Sequence, residues 1–229
     1  MRVARDVKAA RAPGGDLRQA HMELTRQRIL EAARRLLVGG GYSQVTMQEL
    51  AAEAGVAYQT LFKRFGNKTR LAMELIDTGF PHVAPALAWL EEVGAAGDPI
   101  VWLRSMGIFS RRINEPCADL FRFMRESGDP TLLGRFKATE QHRRGTLAKL
   151  GPQLERSGLL RPGLSGSEAA DIVWAMAGSE VYAKLVLDLG WTPARFEIWL
   201  GEALVGALIG SPTDPPASDP GSGRGRRGG

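Results

Sequence analysis

The stretch from residue 58 to residue 68 carries side chains suited to hydrogen bonding with bases and phosphates. Read as a helix with about 100° per residue, it places Leu61 and Phe65 on one side and Gln59 on the opposite side. Glutamine can pair bidentately with adenine, and threonine can contact a base or the methyl group of thymine. The candidate contact residues on this stretch are Tyr58, Gln59, Thr60, Lys63, Arg64 and Lys68.

A short helix before this stretch is expected to hold it in position. Thr46-Met47-Gln48-Glu49 has the pattern of a capping box, in which the Thr46 and Glu49 side chains each accept a hydrogen bond from the other residue's amide. Gly55 can adopt a positive φ and turn the chain tightly. Two short helices joined in this way predict a helix-turn-helix. The amides at the start of the first helix are a further candidate phosphate site.

Other chemistries lack the residues that they need. The three histidines His21, His82 and His142 form neither an HExxH pattern nor an i, i+4 pair. Cys117 stands alone and is interpreted as a small buried residue. Residues 66–69 (GNKT) superficially resemble a phosphate loop, but the glycine five residues before a Gly-Lys pair and the preceding strand are both missing. We therefore expect no enzyme activity, no metal site and no cofactor.

Composition and charge indicate a soluble protein with a basic N-terminal part. Of the 229 residues, 44% are apolar and 24% are charged, which is typical of globular domains. Residues 1–75 carry a net charge of +6 and the remainder a net charge of −1, so the first third is expected to bind a polyanion. A single cysteine and the lack of a long apolar run predict a cytoplasmic protein with no membrane span.

The chain reads as a series of helices, so the predicted fold class is all-α. Four polar residues that each precede a proline mark helix starts, at residues 98–99, 115–116, 129–130 and 192–193. The predicted helices span residues 25–38, 46–53, 57–64, 68–79, 82–93, 99–113, 116–127, 130–150, 166–188 and 193–209. The predicted domains are a disordered arm (1–22), a three-helix DNA-binding domain (23–80), a larger helical domain (81–210) and a disordered tail (211–229).

Residues 26–71 resemble the TetR/AcrR family of one-component transcriptional regulators. The matching elements are the ILEAA helix, Gly41-Tyr42, Val45-Thr46, the LAxxAGV run at 50–56, Thr60-Leu61-Phe62, and Phe65 followed by Asn67-Lys68 and Leu71. This resemblance covers about a fifth of the chain. The remainder is similar to the family in its length and all-helical character.

The resemblance implies roles for residues in the helix-turn-helix. Thr46 and Lys68 match phosphate contacts, Gln48 matches a position that sometimes touches a base, and the stretch from Tyr58 to Arg64 matches the base-contacting and backbone-contacting segment. The chain also departs from the family pattern at Ala57, Phe62 and Arg64, which stand where the family often has Ser, Tyr and His.

The same resemblance implies a ligand pocket and a dimer interface in the larger domain. We expect two copies to pair through the last two helices, which combine an apolar stripe at 196–208 with small residues at 175–183. The candidate polar anchors are Glu126, His142 and Glu180. The candidate pocket residues are Trp102, Met106, Phe109, Phe121, Met124, Trp174 and Tyr182.

Together these features predict a TetR-type regulator of transcription. It is expected to act as a repressor, to bind a near-palindromic operator in double-stranded DNA as a homodimer, and to be released by a small, largely apolar effector. One alternative is a helical DNA-binding regulator that a protein partner controls without any small-molecule effector. A less favoured alternative is an all-α enzyme or ligand carrier that uses the larger domain.

Overall fold

The computed structural model describes residues 13–95 and 97–210 and confirms the all-α fold. Within these ranges the elements are helices, and an antiparallel bridge joins Leu160 and Ile209. The residues divide into two compact units. The first unit extends to Thr78 and includes Ser127–Leu132 from later in the chain, and the second unit holds Gly79–Glu126 and the residues from Leu133 onward.

Four helices form the described part of the first unit. They are α1 (Pro13–Ala33, continued by the π-helical turn Arg34–Val38), α2 (Met47–Ala54), α3 (Tyr58–Phe65) and α4 (Lys68–Thr78). Fully buried apolar side chains from each of them make the core, among them Ile29, Leu37, Leu50, Leu61 and Leu71. Burial of such side chains stabilises the unit by about 1.5–3 kcal/mol each.

Helix α1 begins earlier than the apolar pattern predicts. The prediction of a disordered arm over residues 1–22 is wrong for residues 13–22, which lie in α1. The side chains of residues 17–24 are exposed, so burial does not mark this part of the helix in the sequence. Residues 1–12 of the predicted arm and the predicted tail at 211–229 lie outside the described residues.

The second unit is built from eight further helices within the described residues. They are α5 (Val83–Ala95), α6 (Pro99–Asn114), α7 (Ala118–Glu126), α8 (Pro130–Ala148), α9 (Gly151–Arg156), α10 (Gly166–Met176), α11 (Ser179–Tyr182, continued by the π-helical turn Ala183–Asp188) and α12 (Pro193–Leu208). None of the described helices combines the length and apolar character that crossing a bilayer requires.

Helices α6 and α12 pack closely because glycines remove side chains at their crossing. A Cβ atom at Gly107 would collide with the backbone carbonyl of Glu197, and one at Gly201 would lie 2.9 Å from the Arg104 oxygen. Two alanines of the predicted apolar stripe of α12, Ala203 and Ala207, are half-buried. The rest of the stripe, Phe196, Leu200, Leu204 and Leu208, is completely buried in this core. It therefore belongs to the core of one chain.

The sequence predicted most N-cap residues correctly, but it did not predict where helices are interrupted. Asp98, Asp129 and Thr192 cap α6, α8 and α12, as predicted. The predicted helix over 166–188 is interrupted at residues 177–178, where Gly178 has the extended backbone angles φ −70° and ψ 153°. Helix α9 was not predicted. The predicted helix start at residues 115–116 is wrong: Glu115 ends α6, residues 115–117 form a turn, and α7 begins at Ala118.

Candidate nucleic-acid interface and ligand core

The turn between α2 and α3 has the geometry that its residues predict. Thr46 has extended backbone angles, and its hydroxyl accepts from the Glu49 amide at 3.2 Å. The Glu49 carboxylate accepts from the Thr46 amide at 2.8 Å, which completes the capping box. Gly55 then adopts the left-handed conformation, with φ 64°. The Val56 amide donates to the Ala51 carbonyl at 3.0 Å and closes the turn.

The capping box also fixes the charge of Glu49. The hydrogen bonds from the Thr46 amide and hydroxyl lower the pKa of Glu49, and the positive charge of Lys68 adds to this effect. Glu49 is therefore a carboxylate at neutral pH. Since the box engages the amides of Thr46 and Glu49, a phosphate at this terminus would have to use the other amides of the first turn.

Helix α3 buries one face and exposes the other. Leu61 and Phe65 are buried, while Phe62 is 52% exposed and its ring stacks on Tyr58 at a centroid distance of 5.9 Å. Ala57 at the N-cap makes no side-chain hydrogen bond. The predicted contact residues that lie exposed on α2, α3 and their flanks are Thr46, Gln48, Tyr58, Gln59, Thr60, Lys63 and Arg64. The structure therefore brings these seven side chains to the surface of one helix-turn-helix.

Lys68 differs from the other predicted contacts because its ammonium group binds the protein itself. Its Nζ donates to the carbonyl of Val45 at 2.7 Å and to the carbonyl of Tyr42, and it lies 4.4 Å from the centre of the Tyr42 ring. These bonds hold the loop that leads into α2. In this structure Lys68 is a positioning residue for the helix-turn-helix.

A hydrogen-bond cluster that the sequence did not reveal holds the same loop. The Asp129 carboxylate accepts from the Tyr42 hydroxyl and the Thr69 hydroxyl, each at 2.8 Å. Its other oxygen caps α8 through the amides of Thr131 and Leu132. Burial alone would raise the pKa of Asp129, but these hydrogen bonds outweigh burial and leave the pKa below its ordinary value. The Asp-Pro pair predicted the cap, whereas no local signal links Asp129 to Tyr42.

Comparison with known proteins identifies the helix-turn-helix. Residues 29–75 match the family model described as bacterial regulatory proteins of the tetR family. This match places a segment that is similar to the tetR family in the first unit. A curated relative, the uncharacterized HTH-type transcriptional regulator YvkB of Bacillus subtilis (strain 168), is 44% identical over 55 residues. That alignment spans 24% of this chain and 29% of YvkB.

Solved structures share the fold beyond this segment. NalD, named as the secondary repressor of the MexAB-OprM multidrug efflux pump in Pseudomonas aeruginosa, is 20% identical, with a TM-score of 0.65 over 83% of this chain and 98% of NalD. A transcriptional regulator from Saccharomonospora viridis, in complex with choline, is 18% identical, with a TM-score of 0.61 over 81% of this chain and 98% of that protein. At these identities the likeness concerns the fold.

The candidate pocket residues of the second unit lie in its apolar interior. Trp102, Met106 and Tyr182 belong to one buried cluster, and Phe109 and Trp174 pack against it while partly buried. Phe121 and Met124 are also buried. Burial raises the pKa of the Tyr182 hydroxyl to about 12, so Tyr182 is neutral at physiological pH.

The candidate polar anchors lie outside the apolar interior of the second unit. Glu126, His142 and Glu180 are exposed on the surface. The buried polar side chains among the described residues are instead Ser105, Ser110, Asn114 and Ser179. None of the four was predicted from the sequence to be a polar anchor. Cys117 is buried, with its sulfur 3.6 Å from His82 Nε2. No three His, Cys, Asp or Glu side chains of the described residues are grouped so that they could hold a metal ion.

Proposed function

We propose that the chain is a TetR-type transcriptional repressor that binds a near-palindromic operator in double-stranded DNA. The observation that carries this proposal is the exposed polar and basic face of α3 within a segment that is similar to the tetR family. Gln59 and Thr60 supply hydrogen bonds suited to base edges, and Lys63 and Arg64 supply charge suited to phosphates. One α3 reaches only a few base pairs, so a specific site of useful length needs two copies.

The proposed dimer forms through the last two helices, on the face that the core of one chain leaves open. Leu187, Leu189 and Ile198 are 46%, 63% and 67% exposed, although all three are large and apolar. Large apolar side chains that a single chain leaves exposed become buried when they lie in a protein interface. A two-fold axis at this face would pair the same helices of two chains and present two copies of α3 to one duplex.

The proposed effector is a small, largely apolar molecule that binds within the second unit. The aromatic and sulfur-containing residues of its interior are chemically suited to such a ligand. The similar regulator from Saccharomonospora viridis was solved with choline, so another protein of this fold holds a small molecule. Release from DNA requires that the effector bind one dimer geometry more tightly than the other.

The near-complete burial of the interior favours a second candidate function. Met106 and Tyr182 are only 1% and 2% exposed, and Trp102 is 7% exposed. A core packed in this way suits a DNA-binding regulator that a protein partner controls without a small-molecule effector. Both candidates bind DNA. They differ in whether a small molecule or a protein partner controls that binding.

Two measurements test these proposals. The operator is selected from random duplexes, and the number of chains per high-affinity site is measured by analytical ultracentrifugation. Two or four chains per site support the proposal, whereas one chain contradicts it. A small-molecule library is then screened by thermal stability, because a ligand of the folded state raises the melting temperature.

The screened ligands must also meet a condition of reciprocity. A true effector lowers operator affinity by the same factor by which the operator lowers effector affinity. A ligand that stabilises the chain but leaves operator affinity unchanged fails as an effector. A library that yields no stabilising ligand favours the partner-controlled regulator.

A further inference from the structure

The side-chain amide of Asn114 is buried at the end of α6, where its NH₂ group is hydrogen-bonded and its oxygen is not. Asn114 is 2% exposed, and its Nδ2 donates to the Ser110 carbonyl at 2.8 Å and to the Ser110 hydroxyl oxygen at 3.2 Å. Its Oδ1 has no hydrogen-bond partner among the described residues. A buried acceptor without a donor is destabilising, so proteins retain few of them.

The surroundings of Asn114 are a polar site within an apolar core. The Ser110 hydroxyl donates to the Ala177 carbonyl at 3.3 Å, and Ala177 ends α10 at the break before Gly178. Ser179, which is 7% exposed, lies just beyond the break. Three of the four buried polar side chains described therefore belong to one junction, formed by the end of α6 and the gap between α10 and α11. The core on one side of this junction is aliphatic and aromatic, whereas the charged groups of Glu180 and Arg143 flank Gly178 at its edge.

We propose that Asn114 is the polar anchor of the effector site and that its Oδ1 accepts a hydrogen bond from a hydroxyl or N–H group of the effector. This inference rests on the proposed function, because it names the chemical class of the proposed ligand. The effector is then a neutral, mainly apolar molecule with at least one hydrogen-bond donor. The apolar body packs against the core, and the donor pairs with Asn114.

The chemistry of the site disfavours anionic and cationic ligands. A carboxylate or phosphate would place its own lone pairs against Oδ1, which is itself an acceptor. A cation would need a buried counter-charge, but the carboxylate at the junction, that of Glu180, is exposed and lies 3.6 Å from the guanidinium of Arg125. The nearby Arg111 is already paired with Glu115 and Glu197. A neutral donor is the group that satisfies Oδ1 without leaving a buried charge.

The experiment compares ligands that differ only in the donor. The probes are 4-methylphenol, 4-propylphenol and 4-hexylphenol, and the methyl ether of each one, which keeps the carbon skeleton and lacks the O–H group. Binding to the full chain is measured by calorimetry and by melting temperature. The variants are Asn114→Leu, which keeps the branching and the number of side-chain heavy atoms but removes the acceptor and the Nδ2 donor, and Ser105→Ala. Ser105 is the matched control, because it is also buried on α6 but its hydroxyl is already satisfied by the Val101 carbonyl.

We expect at least one phenol to bind the unmodified chain about tenfold more tightly than its ether, as one neutral hydrogen bond predicts. Asn114→Leu should bind that phenol about as weakly as the ether, and Ser105→Ala should bind it like the unmodified chain. Equal binding of phenol and ether, equal binding by Asn114→Leu, or failure of all six probes to bind overturns the inference. The comparison of phenol with ether uses the unmodified chain, so it stands even where Asn114→Leu does not fold.

Operator affinity separates this inference from the proposed function. A phenol that binds through Asn114 but leaves operator affinity unchanged supports the anchor and contradicts effector control. An effector that releases the operator from the unmodified chain and from Asn114→Leu equally well supports effector control and contradicts the anchor.

Discussion

Gln59 is the residue at which the proposed base recognition is most directly tested. It is exposed on the face of α3 opposite Leu61, and its amide can donate to and accept from one base edge. We expect Gln59→Ala to lose about 1–3 kcal/mol of discrimination at one base pair of each half-site. Repeated operator selection measures the change, with the exposed Gln27→Ala of α1 as the control. An unchanged preference would show that Gln59 does not read a base.

Two lysines of the same domain are expected to act in different ways. Lys63 is exposed on α3, whereas Lys68 binds the carbonyls of Tyr42 and Val45. Lys63→Ala should therefore weaken binding to all sequences alike and reduce the salt slope by about one, with the melting temperature unchanged. Lys68→Ala should lower the free energy of unfolding by about 1–3 kcal/mol even without DNA. Salt titrations and thermal melts of both variants distinguish the two roles, and matching profiles would contradict the assignment of Lys68.

The Asp129 cluster should make the stability of the first unit depend on pH. The pKa of Asp129 is below its ordinary value of 3.8 in the folded chain, so the carboxylate form favours folding. Its contribution is complete above the unfolded pKa and disappears as the pH falls through the folded pKa. The difference in unfolding free energy between the unmodified chain and Asp129→Asn should therefore be constant near pH 6 and shrink below about pH 4.

Urea unfolding at several pH values measures this difference. The matched control is the double variant Tyr42→Phe/Thr69→Val, which removes two of the hydrogen bonds that lower the pKa of Asp129. In this background the pH-dependent part should become smaller. A difference that stays the same from pH 6 to pH 3 would refute the role of the Asp129 charge.

At the scale of single helices, α3 lacks a feature that α2 has. Thr46 caps α2 by its hydroxyl, whereas Ala57 holds the N-cap position of α3 with extended angles (φ −65°, ψ 141°) and no side-chain acceptor. Ala57→Ser would place a hydroxyl oxygen beside the amides of Gln59 and Thr60, the second of which otherwise donates to the Ala57 carbonyl at 2.9 Å. We expect it to raise the free energy of unfolding by about 0.5–2 kcal/mol. Ala52→Ser in the exposed middle of α2 is the control and should be slightly destabilising. Thermal melts in which both variants shift in the same direction would contradict the capping argument.

Helix ends were predictable where a local residue determines them. Asp98, Asp129 and Thr192 satisfy the first amides of their helices through atoms only two or three residues away, so the sequence contains the full signal. The interruption at Gly178 is different, because the Ala177 carbonyl that it frees is satisfied by Ser110, 67 residues away. The exposed start of α1 was missed for a related reason, since its first turns bury no apolar face that periodicity would reveal.

At the scale of the whole molecule, the sequence predicted a helix-turn-helix unit and a larger helical unit. It did not predict which distant residues pack into each unit. The motif at 46–68 predicted the helix-turn-helix and the exposure of seven of its eight candidate contact residues, because the spacing within a short helix determines exposure. The inclusion of Ser127–Leu132 in the first unit depends on the bonds between Asp129 and two residues at least 60 positions earlier. Asn114 was missed because an unpaired acceptor is visible only once its neighbours are placed.

Because the apolar stripe of α12 is buried within one chain, the proposed dimer has to be tested at exposed residues of the same helix. The side chains of Phe196, Leu200 and Leu204 are fully buried within one chain, so their substitution would damage the core and say nothing about pairing. Ile198 lies on the other side of α12 and is 67% exposed. Because a two-fold interface contains each residue twice, Ile198→Glu would bury two unpaired carboxylates at the proposed contact.

We expect Ile198→Glu to weaken dimerisation at least about a hundredfold while the melting temperature of the isolated chain is unchanged, because burying two charges without partners costs several kcal/mol. Sedimentation velocity over a range of concentrations measures the monomer–dimer equilibrium. Leu24→Glu is the matched control, since Leu24 is a large apolar residue of α1 that is 61% exposed and lies in the first unit. If Ile198→Glu remained dimeric, the pairing face would lie elsewhere. If both variants became monomeric, the effect would come from added charge and the last helices would lose their assigned role.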